Sequence, residues 1–286
     1  MTSVQVGPLL REWRERRRLS QLGLAVEAGV SARHLSFVEN GRARPSPEMV
    51  LHLAERLDVP LRERNQLLLS AGYAPVFGQR TLDDDDMEPV REAIGLVLGG
   101  HEPYPALVVD HHWTIVAANR GLATLTEGVA PELLAVPVNV LRVALHPDGL
   151  APRIVNLAEW RTHLLERLDR QIAATSDRAL VALRDELNGY QVPVSGNGDH
   201  AAGGPGDDAH GDDAHGDGAE APAVTAAAKL ASDIVVCLRL QAGDAELAFF
   251  STIATFGTAV DVTTSELAIE SFFPADGATA DHFRGR

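Results

Sequence analysis

The chain is 286 residues long, enough for two domains, and carries a formal net charge of −15. Its one cysteine, Cys237, excludes an intrachain disulfide, and no apolar run approaches the ~20 residues that span a bilayer. The charge argues against a nucleic-acid partner only until it is divided along the chain. Residues 1–80 hold twelve arginines against eight acidic residues, a balance of +4, and the remainder holds 13 basic and 32 acidic residues, a balance of −19. A basic head on an acidic body suits DNA binding by the head alone.

In chain order, MTSVQVGPLL has no basic-then-apolar signal segment, so a cytoplasmic protein with no membrane partner is expected. Residues 7–18 read as a helix with Leu9, Leu10 and Trp13 inward. Arg14, Arg16, Arg17 and Arg18 crowd its C-terminal end, where positive charge suits the helix dipole and can also meet DNA phosphates. Ser20 to Gly41 reads as two short helices around a tight turn. Ser20 caps the first, Leu22, Ala25 and Val26 recur at helical spacing as its apolar face, and Gly29 ends it where the chain turns left-handed. Ser31 caps the second, Leu35 and Val38 point inward, and Gly41 stops it. Helices this short are not stable alone, so they must pack across each other, with small Ala25 and Ala28 permitting close approach. This is the pattern of a helix-turn-helix, whose second helix enters the DNA major groove.

The outer face of that second helix offers Ser31, Ala32, Arg33, His34, Ser36 and Phe37. Arg33 can meet a guanine edge with two hydrogen bonds. His34 and Ser36 suit bases or phosphates. Phe37 suits thymine methyls or, equally, the core against the following helix. Gln21 opens the first helix, where a side chain and free backbone N–H groups can hold a phosphate. Arg42 and Arg44 follow the second helix, placed to grip the DNA backbone. Ser46-Pro47 opens a fourth helix with Met49, Val50, Leu53, Ala54 and Leu57 as its core face, and a fifth spans roughly Leu61 to Ala71. From Leu9 to Ala74 the chain resembles the xenobiotic-response-element and phage-repressor type of helix-turn-helix domain, with Gln21, Ala25, Gly29, Leu35 and Val38 at that family's motif positions. Gly23 departs from it, where a better helix former is usual. More narrowly, REWRERRRLSQ, SARHLSFVENGRARPS and LAERLDVPLRERNQLLLSAGYAP resemble the MmyB-like transcription regulators.

Residues 75–100 read as a linker and connecting helix. Four consecutive aspartates there are either a solvated run or an acidic lead-in to a helix over 88–98. Beyond them ALVVD, HHW and TIVAAN read as two strands around a tight turn, followed by a helix from Arg120 to Leu125. YPALVVDHHWTIVAANRGLATL is similar to the opening of PAS domains. Residues 139–190 are expected to be mostly helical, with Leu157, Trp160, Leu164, Leu165 and Leu168 as one apolar stripe and a further helix from Asp177 to Leu187. Residues 195–226 are a low-complexity insert of Gly, Asp, Ala and His, expected to be disordered. His210 and His215 among its aspartates offer weak divalent-metal binding or merely a solvated loop. SDIVVCLRLQAG, AELAFFSTIATFG and DVTTSELAIESFFPAD read as three antiparallel strands, the first two joined by a hairpin turn. The expectation is therefore a multidomain chain: an all-α five-helix helix-turn-helix domain over 1–74, a linker and connecting helix over 75–100, and an α+β PAS-like domain with a five-stranded antiparallel sheet over 101–286.

PVNVLRVALHPDGLAPRIVNLAEWRTHLLERL and FFSTIATFGTAVDVTTSELAIESFFPAD resemble the ligand-binding domain of the MmyB-like family, so the resemblance spans most of the chain. It implies a regulator that binds double-stranded operator DNA and a small apolar or amphiphilic ligand, a fatty acid in some members; a homodimer is expected because one head offers few base contacts. No cofactor is required. An acyl chain needs an apolar tunnel, for which Leu141, Trp160, Leu164, Phe250 and Phe256 are candidates. A carboxylate head needs a cation or donor, for which Arg153 and Asn156 are candidates. The alternative is a second domain that serves only dimerisation or a protein partner. His111, His112 and His146 are the best acid–base candidates, but no nucleophile motif, metal-ligand spacing or phosphate loop accompanies them, so no enzyme is expected.

Overall fold

The computed structural model describes residues 5–191 and 235–285, and the insert expected at 195–226 lies outside the described residues. The chain divides into two compact units. Among the described residues no helix is long and apolar enough to cross a membrane.

The first unit is built on five helices, α1 Val6–Arg16, α2 Gln21–Glu27, α3 Ala32–Glu39, α4 Pro47–Arg56 and α5 Leu61–Ser70. Three of them start on serine: the hydroxyls of Ser20, Ser31 and Ser46 accept from the N–H groups of Gly23, His34 and Met49. Each such cap is worth roughly 0.5–2 kcal/mol against alanine. Leu10, Leu24, Leu35, Leu53, Leu67 and Leu68 are almost wholly buried in a shared core, each contributing about 1.5–3 kcal/mol. The inward face of α2 differs from the expectation. It is Leu24, Ala25 and Ala28, while Leu22 and Val26 are 65% and 73% exposed. A seven-residue helix has two faces that both satisfy helical spacing, and packing against α3 and α4 decides between them.

Close approach of α1 to the end of α3 depends on Gly7. A Cβ there would lie 2.4 Å from the Val38 carbonyl oxygen and 2.7 Å from that of Glu39. Gly7→Ala is expected to push the two helices apart at a cost of about 1–3 kcal/mol, read as a lowered Tm in a thermal melt. An unchanged melt would mean that α1 and α3 approach less closely than this.

Residues 173–177 and 254–268 also belong to the first unit. After α5, Asn65 holds the linker: its Oδ1 accepts from the N–H groups of Val76 and Phe77 and its Nδ2 donates to the Phe77 carbonyl. The aspartate run leads through a short 3-10 turn into α6, Glu88–Gly100, with Asp84 accepting from the Thr81 N–H at 2.8 Å. Between residues 254 and 268 the chain docks on α5 and this linker. Arg62 donates to both carboxylate oxygens of Glu266, each at 2.7 Å, and buried Asp261 takes Arg80 at 3.1 Å. The Val262 N–H donates to the Gly78 carbonyl at 2.8 Å. The segment DVTTSELAIESFFPAD is therefore not one strand. Asp261 caps a helical turn, α11 Val262–Ser265, and the strand starts only at Ala268.

The second unit is built on a five-stranded antiparallel sheet of β1 Ala106–Val109, β2 Ile115–Ala118, β3 Leu238–Ala242, β4 Ala245–Thr255 and β5 Ala268–Pro274, in the order β2-β1-β5-β4-β3. Asp110 shapes the β1–β2 turn by accepting from the N–H groups of His112 and Thr114. The turn puts Trp113 at φ 66° with its ring buried. Asn119 ends β2. Its side chain accepts from the Ala106 N–H and donates to the Tyr104 carbonyl, and α7 Leu122–Thr126 follows. The helices α8 Val140–Leu145, α9 Leu157–Thr175 and α10 Arg178–Asn188 carry the middle of the chain. A last helix, α12 Gly277–Arg284, was not anticipated. Asp276 caps it, and Phe283 sets its ring against that of Phe249.

Candidate nucleic-acid face and ligand cavity

Helix α3 is pinned from beneath by Leu35 and Val38, each 1% exposed, and from its start by Ser31. What remains outward is polar. Arg33 and His34 are exposed, and Ser36 and Phe37 are half-buried. The Arg33 guanidinium lies 5.4 Å from the centre of the Phe37 ring, so Phe37 belongs neither to the core nor wholly to solvent. Arg42 is exposed just beyond the helix. Asn40 donates to the carbonyl of Ser36 and to its hydroxyl, and accepts from Arg11 at 2.7 Å.

Two of the residues expected on this face are held elsewhere. Arg44 donates to the Ala71 carbonyl at 2.9 and 3.2 Å and lies over the Tyr73 ring; it ties the end of α5 and does not stand free for a phosphate. Gln21 donates to Glu39 at 2.8 Å, so its amide group supports α3 from within. The reason in each case is a buried or helix-ending acceptor within reach.

Glu39 is the hub. Its side chain is fully buried, and Arg14 clasps both its oxygens at 2.7 and 2.9 Å. Burial pushes the Glu39 carboxyl up, but hydrogen bonds from Arg14 and Gln21 and the guanidinium charge outweigh it and hold the group below its ordinary value. The Arg14 guanidinium is raised in turn, first by its hydrogen bond to Glu39. Arg14, expected among the phosphate-facing cations, is thus a structural residue that fixes α3 to α1. Arg17 likewise donates to the carbonyls of Leu57 and Asp58.

The second unit encloses an apolar cavity of about 60 Å³ between its sheet and helices α7, α8 and α9. Of the seven residues expected to hold a ligand, Leu141, Trp160 and Leu164 lie on its wall. The other four do not. Phe250 stacks on Phe273 at 5.2 Å, because it is the neighbour of inward-facing Phe249 on β4 and so takes the opposite face. Phe256 lines a separate cleft in the first unit, beside Met87 and Val90. Arg153 donates to the carbonyls of Leu125, Glu127 and Gln241. Asn156 donates to the Cys237 carbonyl at 2.8 Å and accepts from the Arg239 N–H at 3.1 Å, which splices α9 to β3. The thiol of half-buried Cys237 is pushed up, first by burial and then by the Glu159 charge.

A helix-turn-helix domain model matches residues 5–67, and the model of the MmyB-like transcription regulator ligand-binding domain matches residues 90–195. This is the domain make-up of an MmyB-like transcription regulator. The helix-turn-helix part is similar to the HTH-type transcriptional repressor RghR of Bacillus subtilis (strain 168), at 43% identity over 68 residues, which is 23% of this chain and 48% of that protein. It is also similar to the uncharacterized HTH-type transcriptional regulator RghRB of the same organism, at 39% identity over 72 residues, 25% of this chain and 50% of that one. The chain thus spans about half the length of the curated relatives it matches. A solved RNA-binding light-oxygen-voltage receptor aligns over 98% of this chain and 61% of its own at 12% identity, with a TM-score of 0.25, too low to support any statement about fold. Within the MmyB-like domain the matched stretch supplies the helical wall of the cavity. Leu238, Glu270 and Phe272, also on the wall, come from strands beyond it.

The residues missed in the sequence are Glu39, Arg14 and Glu270. A signal existed for the first two. Arg14 falls on the face of α1 that carries Leu10 and Trp13, and Glu39 falls four residues after Leu35 on the buried face of α3. Two opposite charges, each in an apolar helical stripe, point to a buried ion pair.

Proposed function

We propose that the chain is a sequence-specific DNA-binding transcription regulator whose second unit binds a small apolar or amphiphilic molecule. The observation that carries the reading is α3 itself. It is a helix locked to its core on one side by Leu35, Val38 and Glu39, and it leaves Arg33 and His34 exposed together on the other. A rigid helix with an exposed guanidinium is suited to direct readout of a base edge, and the helix-turn-helix likeness to RghR and RghRB supports the same assignment. The protein acts as a homodimer, because one head offers few base contacts, and two heads read half-sites ~34 Å apart or a multiple of that spacing.

The test is fluorescence anisotropy on an operator selected by the protein from a random library. Arg33→Ala should cost about 1–3 kcal/mol of binding and relax preference at one base pair. Arg42→Ala should weaken all DNA alike and reduce the salt slope by about 1. An Arg33→Ala protein that keeps full affinity and full base preference would overturn the assignment of α3.

The ligand half of the proposal rests on the cavity wall, which is apolar almost throughout. A fatty acid is the finer proposal that the MmyB-like domain brings. Its acyl chain requires the wall to part, since about 60 Å³ is well below the ~150 Å³ that admits benzene. That small volume also supports a second reading, in which the domain is a packed dimerisation or partner-binding module.

A further inference from the structure

Arg33 and Phe37 stand one turn apart on the outward side of α3. Arg33 is exposed, and among the described residues no hydrogen-bond or ion-pair partner takes its guanidinium. It lies over the Phe37 ring instead, with Cζ 5.4 Å from the ring centre. Phe37 is itself anchored, because its carbonyl accepts from the N–H groups of Arg42 and Ala43 at 2.8 and 3.1 Å where the chain leaves the helix. Its ring is half-buried, and it is the one large apolar side chain among the outward residues Ser31, Ala32, Arg33, His34, Ser36 and Phe37.

This pairing decides what lies beside the guanidinium when it meets a base. A bidentate fork covers the guanine edge, so the ring cannot use that edge. Four residues of helix advance about 6 Å along its axis, which carries Phe37 along the groove from Arg33. Successive base pairs are ~3.4 Å apart. A ring centred 5.4 Å from Cζ falls short of two such steps, so the edge it touches belongs to the next base pair. Donors and acceptors on that edge would lose water to the ring and gain no hydrogen bond in return. The one apolar group that a base pair shows in the major groove is the C5-methyl of thymine.

We infer that α3 reads a two-base-pair unit: a guanine held by Arg33 and, beside it, a thymine whose C5-methyl packs on the Phe37 ring. Phe37 is then a specificity-determining residue. The inference rests on the proposal that α3 reads operator DNA and narrows what it reads. 5-Methylcytosine carries the same methyl at the same carbon, so a methylated cytosine beside that guanine is bound more tightly than an unmodified one.

The experiment uses the full chain and the operator it selects from a random library. Arg33→Ala identifies the guanine as the position where base preference is lost. The thymine beside it is then replaced by deoxyuridine, which removes only the methyl, and in a second pair of operators by 5-methylcytosine or cytosine opposite guanine. On the unaltered protein, fluorescence anisotropy should show about fourfold weaker binding for deoxyuridine than for thymine, and for cytosine than for 5-methylcytosine. Fourfold is about 0.8 kcal/mol, the worth of one buried methyl-sized group. Phe37→Ala should abolish both differences and keep the preference for the guanine, and deoxyuridine two or more base pairs away should change nothing. An operator without a thymine beside the guanine, equal binding with and without the methyl, the same loss from remote thymines, or a methyl effect that persists in Phe37→Ala would each overturn the inference and leave Arg33 reading its base. Failure to select any operator, or an Arg33→Ala protein that keeps every base preference, would overturn both. The comparison on unaltered protein decides the matter even if Phe37→Ala does not fold.

Discussion

Glu39→Ala is expected to destabilise the five-helix unit by about 3–5 kcal/mol, the cost of leaving one member of a buried ion pair without its partner. Arg14 is 8% exposed and would keep its charge with no carboxylate in reach, while Gln21 and Arg11 would lose the acceptor they share. Urea denaturation followed by far-ultraviolet circular dichroism reads the loss. Because α3 is held to α1 through this pair, weakened operator binding should accompany it even though Glu39 faces away from DNA. The pair also carries a pH signature. A carboxyl held below its ordinary value of 4.5 contributes stability that is fully present above that value and is lost as pH falls through the lower, folded value. The wild-type protein should therefore lose stability in acid below about pH 4.5 more steeply than Glu39→Ala. Parallel acid profiles, or a loss well under 1 kcal/mol in urea, would show that the pair does not hold the helices together.

Phe249→Ala should cost the second unit about 3–5 kcal/mol. The ring is wholly buried and sits edge-on to Phe272 at 6.3 Å and to Phe283 at 5.8 Å. It therefore joins the centre of the sheet to helix α12 as well as filling volume. Phe249→Leu separates the two contributions, since a leucine keeps most of the volume and loses only the ring-edge contacts, worth about 0.5–1.5 kcal/mol per pair. Chemical denaturation followed by tryptophan emission measures both variants. Equal losses for Leu and Ala would assign the effect to ring geometry alone, and no loss for Ala would remove Phe249 from the core.

The local features of this fold were readable because they depend on neighbours in sequence. Ser20, Ser31 and Ser46 each cap a helix within their own turn, and the Asp110 turn is made by its own next four residues. What was not readable depends on a choice between faces or on a distant partner. Leu22 and Val26 form as good a stripe as Leu24 and Ala28 in two turns of helix. Phe249 and Phe250 are both apolar, and strand parity, fixed by the pairing of Leu238 with Phe249, decides which one is inside. Val262 and Thr263 favour a strand by propensity, yet Asp261 wins by capping a helical turn whose N–H groups it can satisfy. Arg14 and Arg44 were counted as cations open to DNA because their acceptors, Glu39 and Ala71, are 25 and 27 residues away. The apolar stripe of α9 was legible as buried surface, but not that it borders a cavity, and Glu270 was not legible, since nothing in its own strand distinguishes it from an outward-facing acid.

The docking of residues 254–268 on α5 has a consequence for the order in which the protein matures. Arg62 and Glu266 are 204 positions apart. The five helices close among themselves through contacts that all lie within residues 6–73, so their core needs no later residue, whereas this last clasp waits until residue 266 has emerged. At roughly 5–20 residues per second, synthesis of the intervening chain takes about 10–40 s. Throughout that interval the head is a nearly finished module with its α5 side open. Contacts of such high sequence separation are late and slow by nature, so the nascent chain passes through a state in which the DNA-reading helix is already built and the rest of its own unit is still missing.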